Sequence, residues 1–402
     1  MRNLTWLVAS AAFVDTVFFT ALAPLLPHLA GALSLSKGAA GFLTAAYAIG
    51  SMAGTLIAAA VATRGPVKPA VAVGLGVMAV CTIAFGFAGS ITELDVARLG
   101  QGIGDGIAWT GAIAWLLAVA PPRRRGRAIG TVAGASSAGS LAGPLLGGAA
   151  AAGRVAPVFT AIGLVAAGLL CWTLLTPGPR AEGARAAPVR LRGLVGWRMG
   201  SALWLGALGG VLTAVLAVLA PLDLARRGVA AAGIALVFFV AALIRTVGSP
   251  VLGRWVDRRG HRAPLQAGLA AAVTVSLLLA VVAGPWPSAV TVVVAGAAYS
   301  AFWVPAMSMV SVASGPSTRA VWLGFGLWNL AWGVGWTVGS AGGGALAAAV
   351  GDAPPYLLLA GLSLATMLVA RRYRPRPVAV GAAGPGARTA PPPASGTSNL
   401  KS

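Results

Sequence analysis

The sequence predicts an all-α membrane protein of twelve transmembrane helices in two pseudo-symmetric six-helix halves. Three observations carry that prediction: a composition too apolar for a water-soluble surface, a succession of long apolar stretches, and an internal repeat. Of 402 residues, 58% are hydrophobic and 9% charged, with 56 glycines. So few charges cannot keep a soluble surface wet. Crossing the roughly 30 Å hydrocarbon core takes about 20 apolar residues as a helix, because lipid offers no partner to a free backbone amide.

The stretches run at 7–28, 39–62, 69–90, 96–120, 128–152, 155–175, 199–221, 231–252, 264–284, 288–312, 320–349 and 355–370. The eleventh is long and the twelfth short. The first is too long for a signal-peptide core and carries Asp15 in its middle, so it reads as a retained span.

The formal charge of +21 follows the membrane rather than a nucleic acid. With both termini in the cytoplasm, only Lys37, Arg154, Arg226 and Arg227 of 29 basic residues fall on the outer side, and Arg98 and Arg245 fall within spans. That bias is the positive-inside rule. It predicts a multi-pass protein of the cell's inner (plasma) membrane with no nucleic-acid partner. Cys81 and Cys171 lie within spans and read as small packing residues, with no disulfide or metal site.

The polar stretch TPGPRAEGARAAPVRLRGLVGW divides the chain into a first half at 1–178, a cytoplasmic linker at 179–198 and a second half at 199–370. A Pro- and Gly-rich tail at 371–402 is expected to be disordered. The halves share signals at a nearly constant offset. Thr63, Arg64 and Lys68 match Asp257, Arg258 and Arg262; Gly139, Gly143, Gly147 and Gly148 match Gly335, Gly339, Gly343 and Gly344; Pro24 matches Pro221. A parallel repeat of this kind places a substrate site between the halves, near the bilayer midplane.

Four segments resemble the major facilitator superfamily, and within it the twelve-span drug:proton antiporters. GRWVDRRGHR holds Gly253, Asp257, Arg258, Gly260 and Arg262 of the family's cytoplasmic loop motif. RLGQGIG supplies Arg98, Gln101, Gly102 and Gly104, and GSLAGPLLGG supplies Gly139, Gly143, Pro144, Gly147 and Gly148 of the antiporter motif. DTVFFTALAPLLP has an acid and two prolines spaced as in vesicular amine and related drug exporters. The resemblance implies the major facilitator fold, proton coupling and efflux, and gives Arg98 a role in proton transfer. The first-half loop copy departs from the family, with Thr63 in place of aspartate and Pro66 in place of glycine. Its latch is expected to be the weaker one, with Asp257 carrying more of the load.

Only eight acids occur in the chain, so those inside spans stand out. A charge at the bilayer centre costs at least about 2.5 kcal/mol, and such a residue usually faces a wet cavity. Asp15 is the leading candidate for loading and releasing a proton. Arg98 and Asp105 sit seven residues apart and face the same way, yet about 10 Å apart along the helix, too far for an easy direct pair. Asp105 reads as a second proton site, a partner for a cationic substrate, or a counter-ion to Arg98 through water. Arg245 reads equally as a structural anchor or a substrate contact, and Asp223 as an interfacial group.

Gly139, Gly143 and Pro144 suit a helix at the seam between the halves. Tyr299 and Trp303, with Trp328, Asn329, Trp332 and Trp336, form aromatic stripes that would line a cavity for a hydrophobic cation. No phosphate-cradling loop appears, so the expectation is a monomer without cofactor, using the proton as coupling ion. The function expected is proton-coupled export of a small lipophilic, cationic compound, with passage of another metabolite or lysolipid as the alternative. Two histidines without a ligand or nucleophile pattern speak against an enzyme.

Overall fold

A computed structural model of the chain describes residues 2–62, 67–121, 125–178, 196–314 and 318–372. The loop residues Thr63, Arg64 and Pro66, the 179–195 part of the linker and the tail from 373 lie outside them. The helices are α1 (Arg2–Ala32), α2 (Lys37–Ala62), α3 (Val67–Phe87), α4 (Ile91–Val119), α5 (Arg125–Ala149), α6 (Val155–Leu175), α7 (Trp197–Arg226), α8 (Ala231–Arg259), α9 (Arg262–Val281), α10 (Pro285–Ser300), α11 (Trp303–Ser314), α12 (Thr318–Thr337), α13 (Gly343–Val350) and α14 (Ala353–Arg372). Among the described residues, nine helical stretches are long and apolar enough to cross a membrane by length and composition. One of them, Arg125–Leu175, holds two crossings, because α5 and α6 are separated at Gly153, whose φ of 84° a side chain would resist. The charge-bearing α4 and the α12–α13 pair complete the twelve crossings.

Two expected spans are not simple rods. The tenth is broken into α10 and α11 at Ala301 and Phe302. Pro305 has no N–H to return to the Ala301 carbonyl, and its ring crowds that carbonyl. The eleventh runs as α12, a π-helical turn over Val338–Gly342, and α13.

The repeat is visible in the packing of the glycines. A Cβ on Gly139 would lie 2.5 Å from the Phe13 carbonyl oxygen, and Cβ atoms on Gly143 and Gly147 would run into Thr20 and the Ala21 backbone, all on α1. In the second half Gly335, Gly339 and Gly343 meet Ala207, Val211 and Val215 on α7 in the same way. The fourth glycine of each set points to the other half: Gly148 against Ala235 of α8, and Gly344 against Lys37 and Gly41 of α2. Thus α1 corresponds to α7, α2 to α8, and α5 to α12–α13. This corrects the expected seam: Gly139, Gly143 and Gly147 serve packing inside the first half, and only Gly148 reaches across.

Among the described residues the halves meet backbone to backbone at one end of the molecule, with side-chain contacts such as Met52 of α2 on Gly333 of α12 further in. Gly38 and Gly41 pack on α13 and the turn before it, and Gly148 packs on α8. At that face Lys37 bridges to Asp352, which also pairs with Arg226, while Asp223 holds Arg226 and Arg227. Toward the opposite ends of α5 and α8, Cβ atoms on Gly126, Gly130, Gly134, Gly248 and Gly253 would meet nothing within 4 Å. Asp257 is exposed there, with no ion pair among the described residues. The structure is therefore closed at the Lys37–Asp352 face and parted at the Asp257 face. Of the other residues in that loop motif, Gly260 ends α8 at φ 72°, Arg258 is exposed, and Arg262 donates to the Arg371 carbonyl at 2.9 Å. Cys81 packs against Gly100 of α4, whereas Cys171, expected to be a packing residue, is exposed on α6.

Candidate functional site

The site is built on close contact between α2 and α4. Gly50 and Gly54 of α2 lie on the backbone of Leu99 and Ile103, and Gly102 and Gly106 of α4 lie on that of Tyr47 and Ser51. No side chain separates the two helices, so the polar groups beside the glycines are forced together. The Ser51 hydroxyl donates to Asp105 at 2.6 Å, and the Tyr47 hydroxyl donates to Asp15 of α1. Asp15 and Asp105 line the same small space beside these two bonds.

Arg98 is 1% exposed. Its Nη1 donates to Gln101 Oε1 at 3.0 Å and to the Phe18 carbonyl at 3.3 Å, and the guanidinium carbon lies 4.8 Å from the centre of the Tyr47 ring. Gln101 in turn donates to Thr82 of α3 at 3.2 Å. Arg98 thus makes no direct pair with Asp105, as their spacing along α4 implied, and Tyr47 stands between the arginine and the acids. Tyr47 and Ser51 were not picked out from sequence. The available signal was that both are polar groups four residues apart on one helix face of an otherwise apolar span, and each needs a partner when buried.

Two connected compartments open beside this cluster, at the seam between the halves. The smaller, about 190 Å³, is lined by Asp15, Tyr47, Ser51, Asp105, Asn329 and Trp332, among others. The larger, about 560 Å³, reaches Arg98, Pro144, Arg245, Trp303 and Trp336. Thr16, Phe19, Trp109, Ser136 and Trp332 line both. Phe19 of α1 bridges the halves, its ring centre 4.5 Å from that of Trp336 and 5.7 Å from that of Trp332.

Of the cavity residues expected from sequence, Asp15, Asp105, Asn329, Trp332 and Trp303 line the compartments. Tyr299 and Trp328 do not. Tyr299 is buried between α9 and α10, its hydroxyl 2.7 Å from that of Ser276, because the break after Ser300 turns Trp303 toward the cavity without it. Trp328 packs on Gly206 of α7 and edge-on to Trp303 at 4.3 Å. Positions four apart drift by about 40° on a helix, so the stripe winds, and Trp336 rather than Trp328 faces the cavity with Trp332.

The sequence matches the profile of the Major Facilitator Superfamily over residues 8–321 and again over 202–401. The chain belongs to the Major Facilitator Superfamily. As a member it is a multi-pass membrane protein. An uncharacterized MFS-type transporter of Mycobacterium tuberculosis is 28% identical over 144 residues, covering 36% of this chain and 25% of that protein. The MFS-type transporter ppzB of Metarhizium majus is 32% identical over 143 residues, covering 34% and 31%. The chain therefore spans a quarter to a third of the length of these relatives.

Solved superfamily structures share the fold across nearly the whole chain. A D-xylose-proton symporter superposes with a TM-score of 0.76 at 15% identity, covering 93% of this chain and 98% of its own. The nucleoside transporter NupG gives 0.72 at 14%, covering 92% and 100%. A bacterial homologue of the human lysosomal transporter Spinster, inward-facing and occupied, gives 0.72 at 18%, covering 92% and 96%. At these identities the likeness is one of fold.

Proposed function

We propose that the chain is a proton-coupled secondary transporter that exports a small, largely apolar compound, working as a monomer without a bound cofactor. The observation that carries this reading is the Asp15–Tyr47–Asp105–Ser51 cluster opening onto a cavity between two halves that part toward the Asp257 face. Two carboxyl groups lining one small space, with Arg98 behind them, form a site that takes up and gives up a proton as the cavity turns from one side of the membrane to the other. Each proton crossing 100 mV supplies about 2.3 kcal/mol, enough for a concentration ratio of roughly fiftyfold.

The division into two six-helix halves at the 179–198 linker, an inner-membrane location with both termini in the cytoplasm, and the drug:proton antiporter assignment belong to the same proposal. They are supported by the asymmetry of basic residues and by the loop and antiporter motifs. In that orientation the parted Asp257 face is cytoplasmic and the structure is inward-open.

The test is transport by purified protein in proteoliposomes under an imposed pH gradient, against a panel of lipophilic compounds, with internal pH recorded at the same time. Substrate moving outward as protons move inward, in proportion, is the expected result. Substrate movement that ignores the pH gradient would overturn proton coupling.

A further inference from the structure

The two compartments differ in charge. The smaller carries both acids. The larger is lined by Arg98 and Arg245 and by no carboxylate. Arg98 is held: its Nη1 donates to Gln101 and the Phe18 carbonyl and it faces Tyr47 with Asp15 beyond, although its buried Nε lacks an acceptor. Arg245 is not. It sits in the middle of α8, partly buried, and its guanidinium makes no hydrogen bond or ion pair among the described residues. A guanidinium drawn out of water without a partner is costly, and the deficit is met by an acceptor of opposite charge.

The aromatic rings of Trp303, Trp332 and Trp336 line the same compartment and offer flat apolar faces beside Arg245. On the same wall, the Ser249 and Ser300 hydroxyls already donate to the backbone carbonyls of Arg245 and Gly296, so they offer only lone pairs. The unmet demand of Arg245 is for an acceptor, and it borders a space of about 560 Å³ lined by hydroxyls such as those of Thr20 and Ser136 as well as by Phe238, Leu216 and Trp303.

We propose that the larger compartment seats an organic anion, a carboxylate on an apolar or aromatic body, with Arg245 pairing the carboxylate and the Trp303, Trp332 and Trp336 rings flanking the body. The proposal rests on the transport reading and sharpens it: the acids serve the proton, and the cargo's charge is met by the second half. It replaces the cationic cargo suggested by the acids and aromatic stripes in the sequence. A planar guanidinium suits a carboxylate in two-point contact, which an ammonium group cannot offer.

The test is ligand binding to the purified full chain in neutral detergent without any proton gradient, read by quenching of tryptophan fluorescence. The probes are naphthylacetate, the uncharged naphthylacetamide and the cationic naphthylethylamine, which share one ring system. Naphthylacetate is expected to bind at least about tenfold tighter than the amide, and the amine weakest. In Arg245→Gln the preference of acetate over amide collapses while amide binding persists, and Arg245→Lys keeps part of it. Should Arg245→Gln fail to fold, the ranking of the three probes on the native chain and on Arg245→Lys decides. Equal binding of acetate and amide, tighter binding of the amine, binding of none of the three, or an acetate preference that survives Arg245→Gln would overturn the proposal. Asp15→Asn is expected to keep the acetate preference. Loss of proton coupling would thus leave anion binding standing, and loss of anion preference would leave proton coupling standing.

Discussion

Lys37, the first residue of α2, donates to Asp352, in the turn between α13 and α14, at 2.5 Å, and so ties the first half of the chain to the second. Asp352 also holds Arg226 at the end of α7. Lys37 and Asp352 are 23% and 22% exposed, which discounts the pair toward the range of surface ion pairs, about 0.2–1 kcal/mol. Asp352→Asn is therefore expected to raise the population open at this face by no more than about fivefold. Added salt should mimic the variant. Distances between paired spin labels across this face check it, and an unchanged distribution would show that the glycine contacts alone hold the face shut.

Asp257 has the opposite character, since it is exposed at the parted face and has no ion pair to lose among the described residues. Asp257→Asn is expected to leave the present state intact and to weaken the alternative state, in which this face closes. Labels across the Asp257 face should then report larger separations on average. Thr63→Ala in the first-half loop is expected to change them little. Shifts of equal size from both variants would show that the two loops share the latch.

Asp15→Asn keeps the shape of the side chain and removes the titrating group. Folded yield should hold, substrate-linked proton uptake should fall to the level of protein-free vesicles, and Tyr47→Phe should weaken coupling less severely. Internal pH and substrate flux measured together check this. Proton uptake at the native rate in Asp15→Asn would move the coupling role to Asp105.

Two glycines five residues apart on α5, on different faces of the helix, separate folding from alternation. Gly143 lies against Thr20 and the Val17 carbonyl of α1, inside the first half, so Gly143→Leu should overpack the half by about 1–3 kcal/mol or more and lower the yield of folded protein. Gly148 lies against Ala235 of α8 in the other half, and Gly148→Leu should fold but resist closure at the Lys37–Asp352 face. Thermal unfolding separates the first effect from the second, and label distances report the second.

The architecture was legible because hydropathy over a span is a strong signal and a repeat at fixed offset is stronger than either copy alone. Asp15 and Asp105 were legible because an acid in a span is rare and expensive. The partners of a smooth glycine face were not, since sequence shows which surface is bare but not which helix arrives there; hence the misassigned seam at Gly139 and Gly143. Trp328 and Trp336 could not be ranked, because the stripe winds by about 40° per step and the register of α12 against α7 decides which ring is covered. Tyr299 fell on the wrong side of a break that needs Pro305 to be placed in its helix before its effect is visible.

The paired glycine rows have a mechanical consequence. Where α5 lies on α1 and α12–α13 on α7, the helices approach so closely that few side chains lie between, so each bundle resists internal shear and behaves as a lever arm. Between the bundles the closest seats are small residues at one face, Gly148 on Ala235 and Gly344 on Gly41. A tilt of a few degrees about these two points opens or shuts the far ends of the helices, with no helix needing to bend. The transporter's stroke is set by where its smallest residues cross from one half to the other.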